Sequence, residues 1–117
     1  MITLQLSFTT LNIDIQKIGR DYNILVSGGE LPHIGCTVLA VPRPSLDGSG
    51  RLSATASVIN LTGHKDEAIC RYLAEYVSAH TNSTTVCTGG IHVDGITKEQ
   101  IQELLDTVSA ELAYIEL

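Results

Sequence analysis

Tryptophan is missing from this chain of 117 residues, and phenylalanine and methionine occur once each. Any aromatic stacking on a ligand must therefore come from Phe8, Tyr22, Tyr72, Tyr76 or Tyr114. Charge is scarce too, at 17% of residues, against roughly 25% in ordinary soluble domains. The seven Lys and Arg form no basic run and the net charge is −6. That excludes the footprint of a protein that binds nucleic-acid phosphates, and makes an anionic membrane surface a poor partner. No apolar run approaches the roughly 18 residues of a membrane span. The N-terminus alternates apolar and polar residues and lacks the basic start and apolar stretch of a secretory signal. Cys36, Cys70 and Cys87 are odd in number and show no CxxC spacing, so they read as reduced thiols packed as small hydrophobes. Together these absences predict a cytoplasmic protein.

Apolar residues make up 44% of the chain, which argues against disorder. The length suits one compact domain, residues 1–117, with a modest core for a single copy. A thin charged coat of this kind predicts a homo-oligomer.

Period-two alternation runs through Ile2, Leu4, Leu6 and Phe8, and again through Leu11, Ile13 and Ile15. Residues 22–27 read as a third strand, broken by Gly28-Gly29. Residues 36–41 are nearly all apolar, as in a central strand covered on both faces. Residues 52–58 alternate small apolar with Ser and Thr, leaving room for close approach of a helix or another subunit. The period changes at residues 64–80, where Ile69, Tyr72, Leu73, Tyr76 and Val77 share a helical face. A β-branched strand over residues 83–88, ended by Gly89-Gly90, precedes a helix opened by the capping-box pattern Thr97-Lys98-Glu99-Gln100. The expectation is an α+β fold of order ββββαβα. A mostly antiparallel sheet of about five to six strands would carry two helices packed on it.

Three segments concentrate histidine and glycine: residues 28–35, residues 62–67 and residues 89–95. Gly89-Gly90 either exposes backbone N–H groups to an anion or simply turns the chain. Gly63-His64-Lys65-Asp66 either holds a phosphate at a helix start or forms a solvated first turn. His33, His64 and His92 could bind a metal, although no HxH or HxxxH spacing brings them together. Glu30, Asp66, Glu67 and Asp94 are available as acids or bases, but no GxSxG or paired nucleophile accompanies them. His80, at the end of the first helix, reads as a cation complementing the helix dipole.

Taken together and in order, Pro32-His33-Ile34-Gly35, His64-Lys65-Asp66-Glu67 and Gly90-Ile91-His92-Val93-Asp94 resemble the LpdD-like prenylated-flavin chaperone family. Cys36-Thr37 departs from the small apolar residues expected after that glycine. The resemblance implies a fold similar to the proteasome assembly chaperones and a non-enzymatic role. The protein would bind prenylated FMN as cargo, protect it and deliver it to a UbiD-type decarboxylase, in association with a flavin prenyltransferase. It implies a cofactor-binding set of His33, Gly35, His64, Lys65, Gly89, Gly90 and His92. Two other readings stay open, a protein-assembly chaperone without cofactor and a small metal-dependent enzyme using the histidine loops.

Overall fold

Each alternating segment forms a strand, and the strands build a single six-stranded sheet. The computed structural model describes residues 1–61 and 67–117. In chain order the elements are β1 (Ile2–Gln5), β2 (Thr10–Ile18), β3 (Asp21–Gly29), β4 (Cys36–Pro44), β5 (Leu52–Asn60), α1 (Glu67–Thr81), β6 (Thr85–His92) and α2 (Lys98–Leu112). The expected α+β order holds, with five strands before the first helix. Across the sheet the strands run β1-β2-β3-β6-β4-β5. The sheet is mixed: β3 and β6 are parallel and every other neighbouring pair is antiparallel.

Two expectations give way here. Consecutive strands were expected to be antiparallel neighbours, yet β6 lies between β3 and β4. The cause is the route through α1. From β5 at the sheet edge the chain crosses the face over β4 and returns as β6, parallel to β5 and antiparallel to β4. Residues 36–41 were expected to be covered on both faces. In fact Cys36, Val38 and Ala40 are buried while Leu39 and Val41 are 41% and 46% exposed. Both helices join the core on one side, and the other face of β4 stays open.

On the covered side, Leu11, Ile13, Ile24 and Val38 from the sheet meet Leu73 and Val77 of α1 in one apolar cluster. From α2, Leu104, Val108 and Leu112 enter the same cluster. Leu73 and Val77 are positions the helical spacing picked out, and burying such side chains contributes about 1.5–3 kcal/mol each. Cys36, Cys70 and Cys87 are buried as thiols within it. No described helix is long and apolar enough to cross a membrane.

The start of α2 is fixed twice. Gln100 N donates to Thr97 Oγ1 at 3.1 Å and Thr97 N donates to Gln100 Oε1 at 2.9 Å, completing the expected capping box. Further along, the Ser7 hydroxyl and backbone N–H donate to the two oxygens of Glu103, at 2.6 and 2.7 Å. These bonds favour the ionised carboxylate and hold the Glu103 pKa below its ordinary value. Removing the cap with Thr97→Ala is expected to cost ~1 kcal/mol of stability with little effect on ligand binding. Chemical denaturation of both proteins measures it, and an unchanged midpoint would show that the cap contributes nothing.

Candidate functional site

The position of β6 decides where the histidine loops meet. Because β6 separates β3 from β4, the connection over residues 30–35 must cross the carboxyl end of β6. Two backbone bonds hold it there. Glu30 N donates to His92 O at 2.8 Å, and Gly35 N donates to Gly89 O at 2.9 Å. His33 is thereby brought to His92, with ring centroids 6.0 Å apart and the rings edge to face at 76°.

Each ring is oriented by an acceptor. Leu31 O lies 3.0 Å from His33 Nδ1, and a carbonyl only accepts, so Nδ1 donates. Asp94 Oδ1 lies 3.0 Å from His92 Nε2, so that nitrogen donates in turn. His92 remains partly open to solvent beside an exposed Asp94, with Nδ1 as the nitrogen through which it can meet a ligand. Asp94 was only a general acid–base candidate in the sequence. Its spacing of two from His92 on a strand end was the signal for this orienting role.

Gly28-Gly29 closes β3 as expected, but Gly89-Gly90 does not end β6. β3 continues to Gly29 and β6 to His92, in the register Val26↔Gly89, Ser27↔Gly90, Gly28↔Ile91 and Gly29↔His92. Glycine is what permits the extension. At Gly89, with φ +144°, a Cβ would stand 1.8 Å from Val26 O, and at Gly29, with φ +82°, it would stand 2.1 Å from His92 O. Gly89-Gly90 is thus part of the ladder between β3 and β4, where the sequence suggested a strand-ending turn.

The third loop starts from the same end of the sheet. Leu61 N donates to Gly35 O at 2.9 Å, and Asn60 Nδ2 donates to Glu67 Oε1 at 2.8 Å. Of the residues flanking positions 62–66, Leu61 is thus tied to the His33 loop and Glu67 to the end of β5. His64 and Lys65 themselves lie outside the described residues. Arg71 pairs with Glu75 at 2.8 Å and with Glu67 at 3.2 Å, and its pKa is raised, chiefly by Glu75. A cavity of about 120 Å³ opens next to the site, lined by Ile34, Gly35, Cys36, Thr37, Ile59, Asn60 and Leu61. Among the described residues no group of three or more His, Cys, Asp or Glu is placed to hold a metal ion. His80 lies at the opposite end of α1, stacked on Tyr76 at 5.4 Å, away from these loops.

Comparison with known proteins follows the same residues. The prenylated flavin chaperone LpdD-like domain matches residues 6–115, so the chain belongs to the LpdD-like chaperone family. Protein LpdD of Lactiplantibacillus plantarum is 36% identical over 95 residues, which are 74% of this chain. The chain spans 60% of the length of that relative. A solved structure described as a novel chaperone complex for yeast 20S proteasome assembly aligns over 95% of this chain and 94% of its own, with 19% identity and a TM-score of 0.47. At that score the likeness carries no argument about function.

The close approach at the site is testable through its glycines. Gly89→Ala forces a Cβ against the Val26 carbonyl and is expected to cost at least the ~1–3 kcal/mol typical of a strained backbone position. Gly19→Ala also meets a positive φ, but nothing lies within 4 Å, so its loss should be the smaller of the two. Thermal unfolding of both variants gives the comparison, and equal losses would contradict the packing account.

Proposed function

We propose that this chain is a prenylated-FMN-binding chaperone that shields the cofactor and hands it to a UbiD-type decarboxylase. In this reading it is no enzyme. It is a cytoplasmic homo-oligomer that works in association with a flavin prenyltransferase. The observation that carries the reading is the meeting of His33 and His92 at the carboxyl end of the parallel pair β3 and β6, in a chain of the LpdD-like family.

The chemistry asked of the site is modest. A flavin phosphate needs donors, and His64, Lys65, His33 and His92 are assigned to it, the last two as imidazolium ions, because a neutral ring already gives its one N–H to Leu31 O or Asp94. Gly35, beside the cavity, lets a ligand come close to the backbone, while Gly89 and Gly90, buried in the ladder, would act by shaping the strand end beneath the loops. The cavity of about 120 Å³ beside Gly35 is smaller than the ~300–1,000 Å³ of pockets that enclose a whole ligand. It suits an apolar fragment of the cargo, with the ring system lying across the loops. Partial enclosure also suits a carrier, which must release what it holds.

The test is titration of the purified protein with reduced prenylated FMN under anaerobic conditions, followed by absorbance. Binding is expected, with slower loss of the reduced cofactor on exposure to air. A hydrogen bond to a charged group contributes roughly 1.5–3 kcal/mol. His33→Ala and His92→Ala should therefore each weaken binding about tenfold or more while leaving the fold intact. His80→Ala should change little. No binding by the wild-type protein, or normal binding by both loop variants, would overturn the proposal.

A further inference from the structure

We infer that β5 is the subunit interface of this protein, and that a second copy pairs with it strand to strand about a two-fold axis at Ala56. The inference rests on the reading that the chain self-associates and adds where it does so.

Among the described residues, β5 is an edge strand of nine residues, bonded on one side only, to β4. An open edge presents a row of unpaired N–H and C=O groups, and monomeric proteins blunt it with charge, proline or a bulge. Leu52–Asn60 has none of these. Its sequence LSATASVIN contains no charged residue and no proline, and its pairing with β4 runs without interruption from Pro44↔Leu52 to Cys36↔Asn60. The opposite edge, β1, is only four residues long.

Hydrogen-bond parity shows which groups face outward. Leu61 N donates to Gly35 O at 2.9 Å, and Ser45 N donates to Arg51 O at 2.8 Å. Odd-numbered residues of β5 therefore direct their backbone groups at β4. The N–H and C=O of Leu52, Ala54, Ala56, Val58 and Asn60 point away from the sheet, since neighbouring residues of a strand alternate. An antiparallel copy centred on Ala56 brings these groups into register without a gap. Ala56 pairs with the second copy's Ala56, Ala54 with its Val58, and Leu52 with its Asn60.

The side chains agree with that register. A cavity of about 250 Å³ lies between β5 and α1, lined by Leu52, Ser53, Ala54, Tyr72, Glu75, Tyr76 and Ala79. Its small wall residue, Ala54, is opposite the second copy's Val58, which supplies an apolar side chain on the same face. The Tyr72 and Tyr76 rings, stacked at 6.2 Å, would then cover the joint from the α1 side. The self-complementarity of small against large about one axis is what an isologous interface requires.

Ala56→Pro separates this interface from folding. The Ala56 N–H faces away from β4 and pairs with no other described strand, and edge strands tolerate proline where that group faces outward. Light scattering coupled to size exclusion should give about 25 kDa for the wild-type protein, twice the chain's 12.5 kDa. The variant should give the single-chain mass with an unchanged circular dichroism spectrum. Amide exchange of the wild-type protein gives an independent reading that requires no variant. Ala54, Ala56 and Val58 should be protected as strongly as Thr55 and Ser57, whereas a free edge would exchange at those even positions first. A dimer with fast exchange at the even positions would overturn the assignment of β5 and leave self-association standing. A wild-type monomer at tens of micromolar would overturn both, and would leave the edge for a strand of a different protein.

Discussion

The parallel ladder between β3 and β6 is the constraint on which the rest of this structure depends. A strand inserted between two that are consecutive in sequence forces their connection over its end. Residues 30–35 have no shorter path from Gly29 to Cys36 than across His92. The ladder runs to that end only because Gly29 and Gly89 carry no Cβ, each standing where one would strike the neighbouring backbone. Glycine loses more conformational entropy on folding than other residues. Placing it inside two paired strands therefore costs stability, and what the fold obtains is a tight strand end with two histidines above it.

The site inherits its form from that arrangement. His33 is held by a neighbouring carbonyl and His92 by Asp94, so both imidazoles are oriented before any ligand arrives. A pre-oriented donor loses less freedom on binding. The small cavity at Gly35 offers an apolar recess next to polar groups.

Much of this was legible in the residues. Alternation located β1, β2 and β5, because a half-covered sheet imposes period two, while an apolar run marked β4, β-branched residues marked β6, and the spacing of Ile69, Leu73 and Val77 located the covered face of α1. The Thr97-to-Gln100 pattern was read correctly because capping is local. Strand neighbours were not legible, since the crossover through α1 depends on which edge the returning strand enters. Gly89-Gly90 misled for a related reason. Glycine favours both strand ends and close strand approach, and only the partner strand decides between them. The open face of β4 was missed because Leu39 and Val41 are as apolar as the buried residues beside them. Convergence of His33 with His92 followed from topology and could not be seen in their spacing.

The most direct test of the central claim is to map, by amide exchange or chemical-shift change, where reduced prenylated FMN touches the protein. The account predicts that the response concentrates in residues 28–35, in residues 89–94 and at Leu61, at the carboxyl ends of β3 and β6. A response centred at the other end of the sheet, on Lys17, Tyr22 and His80, or none at saturating cofactor, would contradict it.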